Sequence, residues 1–184
     1  MTEPPAGHPP RRFPILTVIA LTATAAVTAT RLWTPDVMHA LWRDPDELGA
    51  GQIWRLLSPV LVQSDGSAIL VLAVFALCGV IGVLGERVFP PRRWIALYLL
   101  GALVGHGIGE VFQPDGGGTS VAFMGILGGL AAYALRSEAR VPTPVRVEAA
   151  LAIPLAVIDT VLRDIHGLPF LAGLVTARIW LWRD

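Results

Sequence analysis

Apolar residues run along this chain in long blocks separated by short charged clusters, not at the three- and four-residue spacing of an amphipathic surface helix. Blocks at 13–30, 68–84, 94–112, 120–135, 147–162 and 166–182 predict six helices, several near or just under the ~20 residues of a bilayer crossing. Short connections at 85–93, 113–119, 136–146 and 163–165 join them. The connection at 31–67 is longer. In its first part Trp33, Trp42 and Trp54 interleave with Asp36, Asp44, Asp46 and Glu47, a mixture that suits the headgroup layer, where an indole ring is half buried. Residues 1–12 are proline-rich, end in Arg11-Arg12 and read as a disordered cytoplasmic tail. The arginine pair before an apolar, alanine-rich run also has the form of a signal peptide, but the length of the run and the spans after it favour an uncleaved first helix. The expected fold class is an all-α membrane protein: one six-helix transmembrane domain over 13–184 with an interfacial first loop at 31–67.

Composition strengthens that picture. With 54% hydrophobic against 15% charged residues and a mean hydropathy of +0.62, the chain is too apolar for a soluble domain of 184 residues. A net charge of zero argues against a nucleic-acid partner. The single cysteine, Cys78, sits in an apolar run, so disulfide frameworks and cysteine metal clusters are excluded.

All 14 basic residues are arginine, and their placement orients the spans. With a cytoplasmic N-terminus, the inner side receives Arg11, Arg12, Arg87, Arg92, Arg93, Arg136, Arg140, Arg146 and Arg183. The outer side receives Arg31, Arg43, Arg55 and Arg163. Both termini are then cytoplasmic. The fourth and sixth spans both begin at the outer face, which brings Ser120 and His166 to similar depth. Gly101, Gly105 and Gly109, then Gly125 and Gly129, then Gly173 and Ala177 form small-residue faces that permit close backbone approach, with the fourth span at the centre.

These residues resemble the rhomboid family of intramembrane serine proteases. Gln52-Ile53-Trp54-Arg55-Leu56-Leu57-Ser58-Pro59 is similar to the family's Trp-Arg first-loop segment. Gly82-Val83-Leu84-Gly85-Glu86-Arg87 resembles the end of its second helix, and Arg93 to Gly101 the start of its third. Gly118-Thr119-Ser120 with Gly125 resembles its Gly-x-Ser motif, and His166 with Ala172 and Gly173 its last-helix motif. The resemblance implies a six-helix bundle in which Ser120 is the nucleophile and His166 its general base, cleaving client transmembrane segments without a cofactor. It implies an integral membrane protein, expected in a bacterial plasma membrane, whose partners are transmembrane clients and lipid. A serine hydroxyl is inert at its own pKa and needs such a base to take its proton.

The chain departs from the family pattern at several places. Val121 stands where a glycine usually follows the serine, and Pro169 where the first glycine follows the histidine. Counting back from Glu86, the helix-two histidine and asparagine that help hold the oxyanion fall at Leu70 and Val74, which donate no hydrogen bond. Loss of one such donor costs ~3–4 kcal/mol of transition-state stabilisation. Backbone amides near Ser120 and Gly118 remain, and Gln63 and Ser67 lie too far upstream in this register to be assigned the role. A pseudoprotease that binds clients without cleaving them is therefore the alternative.

Other residues carry a structural reading. Ser120 alone would be a helix N-cap. Trp54 and Arg55 anchor the first loop, Glu86 with Arg87 forms a helix-end ion pair or cap, and Trp180 and Trp182 are interfacial anchors. His106 and Glu110, four apart on one face, with Asp159, Asp164 and His166, form the competing proton or metal site of a small transporter. No ligand pair of His-x-x-x-His type supports metal.

Overall fold

A computed structural model describes residues 13–63, 66–136 and 139–183. The expected tail at 1–12 lies outside them. The described residues form eight helices and no strand: α1 (Ile15–Ala29), α2 (Pro35–Leu41), α3 (Pro45–Gly49), α4 (Ala68–Val88), α5 (Pro91–Phe112), α6 (Ser120–Ala134), α7 (Thr143–Val161) and α8 (Gly167–Arg183), with short 3-10 turns at Thr30–Leu32, Ile53–Leu56 and Ser58–Leu61. The six longer helices correspond to the six apolar blocks. Of these, α4 and α5 are long and apolar enough to cross a bilayer; α1, α6 and residues 167–182 of α8 are apolar but shorter. Charges at Arg146, Glu148 and Asp159 break the apolar run of α7, which also contains Pro154.

The connection expected at 85–93 shrinks to Phe89 and Pro90. Charge at Glu86 and Arg87 ends the apolar run but not the helix, and Pro91 opens α5 at a position where its missing N–H costs nothing. Glu86 is a cap, though of a different helix from the one expected. It accepts from the Leu16 and Thr17 amides at 3.3 and 2.7 Å and from the Thr17 hydroxyl at 2.6 Å. Pro14 offers α1 no side-chain cap, so a carboxylate from α4 meets its positive end instead.

The α6 helix is the centre of the bundle, packing most extensively against α8 and α5, then α4 and α7. A Cβ at Gly125 would run into the Leu97 carbonyl, one at Gly173 into the Gly125 carbonyl, and one at Gly128 into the Phe170 carbonyl. These glycines let three backbones touch. Around the contact, Trp94, Leu97, Phe123, Ile126 and Ala177 form the main buried cluster. Trp94 stacks on Tyr98 at 5.3 Å and both meet Phe123 edge-on. At the far end, Arg93 lies 5.8 Å from the centre of the Trp180 ring and links the start of α5 to the end of α8.

The first loop is pinned by Arg55, which is 5% exposed. Its guanidinium donates to the carbonyls of His39 and Trp42 at 2.8 and 2.7 Å and to Gln52 Oε1 at 2.9 Å. Trp54, by contrast, is half exposed and faces outward.

Candidate active site

Two devices deliver the site's side chains. Ser120 is the first residue of α6, where first-turn N–H groups have no intrahelical acceptor. His166 immediately precedes α8. The tight α7–α8 turn sets its position: Arg163 takes the left-handed conformation (φ 61°) and the Asp164 amide donates back to the Asp159 carbonyl at 2.8 Å, closing the end of α7. Because α6 and α8 start at the same end and touch along their glycines, Ser120 Oγ and His166 Nε2 stand 2.9 Å apart.

On its other side the imidazole is held by Asp164. One carboxylate oxygen meets His166 Nδ1 at 2.8 Å and accepts the His166 backbone N–H at 2.8 Å. Partial burial raises the Asp164 pKa, but the two hydrogen bonds from His166, with Gln113 adding to them, outweigh it and hold the carboxyl below its ordinary value. The serine, histidine and carboxylate thus form one chain, and the last two are 35% and 42% exposed at the side chain.

A cavity of about 340 Å³ lies beside this chain, between α4 and the Gln113–Gly118 loop, with Ser120, His166, Val121 and Gln63 in its walls. Val74 reaches it. Leu70 does not line it and is largely exposed near the start of α4. The bulk of Val121 is taken up by α5, because Gly105 leaves room where a Cβ would clash with it. Pro169 is fully buried in the first turn of α8 without disturbing the Ser120–His166 approach. Gly118 does not offer its amide to the site: that N–H donates to the Pro59 carbonyl at 2.9 Å.

The loop before Ser120 is held from below by Arg43, a residue that the sequence presents as one more charge in the first loop. Arg43 is 4% exposed. Its guanidinium donates to the carbonyls of Gln113 and Asp115 at 3.0 and 3.3 Å and meets His106 Nδ1 at 2.9 Å, while its backbone N–H bonds the Gly116 carbonyl. Gly109 gives it passage, since a Cβ there would lie 2.8 Å from the Arg43 side chain. Burial lowers the Arg43 pKa, opposed by the nearby Glu110 and Asp115. His106 is therefore a fully buried partner of Arg43, its Nε2 beneath Gly118 without a well-formed hydrogen bond. Among the described residues, no three His, Cys, Asp or Glu side chains converge as a metal site.

A family model described as Rhomboid domain matches residues 50–182. The chain belongs to the rhomboid family. No curated protein matches the sequence. Family membership and the apolar helices together make this rhomboid an integral membrane protein.

Arg43 carries a prediction for this rhomboid. Arg43→Ala strands two loop carbonyls and His106 Nδ1 in a buried setting, and is expected to cost about 2–3 kcal/mol. Thermal unfolding in detergent checks it. Arg43→Lys should recover little, because an ammonium cannot reproduce the forked contacts of a guanidinium.

Proposed function

We propose that this rhomboid is an intramembrane serine endopeptidase that cleaves client transmembrane segments, with Ser120 as nucleophile and His166 as general base. The 2.9 Å contact between Ser120 Oγ and His166 Nε2 carries the reading. As Oγ attacks the scissile carbonyl carbon, its proton passes to Nε2. The carbonyl π pair moves onto oxygen, and the Ser120 amide at the helix N-terminus is placed to meet it. Collapse of the intermediate expels the amine, which takes the proton from Nε2; water then repeats the sequence on the acyl-enzyme. Asp164 orients the ring and fixes Nδ1 as the protonated nitrogen, extending the expected Ser-His pair to three groups.

In this reading the six longer helices span the bilayer with both termini in the cytoplasm, and the first loop lies on the outer surface, where Leu32, Trp33, Ile53 and Trp54 are more than half exposed. The helices α4 and α7 flank α6 without extensive contact with each other, which supports lateral entry of a client helix between them. One observation favours a client-binding pseudoprotease instead: Val74, Leu77 and Ile81, the α4 residues facing the cavity with Cys78, donate no hydrogen bond to an oxyanion.

The test is labelling by a serine-directed fluorophosphonate. Covalent modification of the wild type at Ser120 supports hydrolytic chemistry, and an unmodified protein that still binds clients favours the pseudoprotease. Asp164 adds a prediction. Asp164→Asn should lower kcat about 10- to 100-fold with little change in KM, because an amide can donate to Nδ1 and stabilise the wrong tautomer. The loss is smaller than for a buried triad carboxylate because Asp164 is 42% exposed. Its folded pKa is depressed, so the stability it adds is present above the free value of about 3.9 and is lost as pH falls through the lower folded value. The acid side of the wild-type unfolding profile should therefore flatten in Asp164→Asn.

A further inference from the structure

The α4 side chains that line the cavity, Val74, Leu77, Cys78 and Ile81, carry no N–H or O–H donor. Gln63 stands in the stretch between the Ser58–Leu61 turn and α4, 9% exposed, and its side chain forms part of the cavity wall. Its Oε1 is buried without a hydrogen-bond partner. A buried carboxamide oxygen left unpaired is costly, and such an acceptor persists where an N–H of a ligand satisfies it.

Gly118 shows that the same carboxamide borders the space beside the nucleophile. The point a Cβ on Gly118 would occupy lies 3.6 Å from Ser120 Oγ, and 3.7 and 3.8 Å from Gln63 Oε1 and Nε2, two atoms that a half-turn of the carboxamide exchanges. A side chain there would make ordinary contacts and collide with nothing, so the fold does not demand a glycine at this position on steric grounds. Its absence leaves an open space flanked by the nucleophile and the Gln63 carboxamide, close enough for a small turn of that side chain to bring its amide onto a tetrahedral oxyanion.

The backbone holding Gln63 is fixed. Its own N–H donates to Thr28 Oγ1 at 2.9 Å, and Thr24 Oγ1 donates to the Val60 carbonyl at 2.8 Å, so α1 carries the whole segment. The same segment holds the nucleophile's loop through the Gly118 amide on Pro59. Donor and nucleophile are thereby tied to one frame, which is what preorganised stabilisation needs.

We infer that Gln63 is the second oxyanion donor, its Nε2–H₂ acting with the Ser120 amide on the oxygen that gains charge when Ser120 attacks, in place of the donors missing from α4. The inference rests on the serine-hydrolase reading above. Gln63 Oε1 is then available to accept a backbone N–H of the bound client strand, which pairs the orphaned oxygen.

The experiment measures the rate at which a rhodamine fluorophosphonate modifies Ser120 in the full chain in detergent micelles, with thermal midpoints in parallel. Phosphonylation builds charge on the same oxygen position and needs no knowledge of the client. Gln63→Glu keeps the shape and the acceptor but loses the donor, so a 10²- to 10³-fold slower rate is expected in protein that the parallel midpoint shows to be folded at the assay temperature. Gly118→Ala reads the same space from the opposite side, leaving Gln63 untouched, and should also slow labelling at least tenfold. Adding Val74→Asn to Gln63→Leu, which returns a donor from α4, should recover at least tenfold of the lost rate. Labelling of Gln63→Glu, or of Gly118→Ala where the glutamate variant does not fold, within threefold of wild type overturns the Gln63 assignment while leaving Ser120 as nucleophile. A wild type that is not labelled at all overturns the hydrolase reading and the oxyanion assignment together.

Discussion

Ser120→Ala is expected to abolish hydrolysis of a transmembrane substrate, a fall on the order of 10⁶-fold in kcat, with client binding retained. The size follows from how the three groups depend on each other. Without the hydroxyl there is no acyl-enzyme, and His166 has only a diffusing water to activate; without the imidazole the hydroxyl keeps its proton. His166→Ala should therefore cost about as much as Ser120→Ala, and the double variant little more than either. This non-additivity distinguishes a catalytic pair from two residues that only pack together, whose effects would sum. Neither substitution should unfold the protein. Ser120 and His166 are both partly exposed, and Ser120 begins a helix whose small-residue faces form the centre of the bundle. A Ser120→Ala protein that retains more than a hundredth of wild-type turnover would place the nucleophile elsewhere.

The long helices were legible because their signal is local. A glycine-rich loop followed by apolar small residues locates α6 to within a residue, and the parity of spans puts Ser120 and His166 at one depth before any contact is known. What escaped depends on irregular backbone. Helical register counted upstream from Glu86 sets Gln63 too far from the site, but that count loses meaning once the chain leaves α4 at Ser67. The residue returns to the site because Thr24 and Thr28 hold an irregular segment against α1. In sequence, Asp164 is one titratable residue among several and groups with His106 and Glu110. The left-handed turn at Arg163, a conformation that nothing in its side chain announces, presents it to Nδ1 instead. Arg43 was hidden for a third reason: an arginine buried by contacts some seventy residues along the chain looks the same in sequence as one in a headgroup layer. Its only trace was Gly109, which reads as a helix-packing glycine and in fact clears space for a guanidinium.

Gly173→Ala should separate the catalytic pair from a distance. A methyl at this position projects onto the Gly125 carbonyl, a backbone atom that no rotamer change can move aside. Relief requires α6 and α8 to part by an ångström or more, and the Ser120–His166 hydrogen bond, 2.9 Å in length, then passes beyond the range in which proton transfer is efficient. Gly125 lies five residues below Ser120 and Gly173 seven below His166, about 7 and 10 Å along their axes at 1.5 Å per residue, so splaying at the contact is felt at the site. A displacement of that size is worth about 10²-fold in rate, and overpacking adds about 1–3 kcal/mol of lost stability. Gly107→Ala supplies the comparison. It sits in α5 with open space where its Cβ would be, and the better helix propensity of alanine should leave activity intact and raise stability by up to about 1 kcal/mol. Gly173→Ala also separates a packing role from a chemical one, because it touches neither reacting group: fluorophosphonate labelling and peptide cleavage should fall together. If the two alanine variants label at equal rates, the close approach of α6 and α8 is not what holds Ser120 against His166, and the alignment must instead be imposed from above, by Asp164 and the Arg43-braced loop.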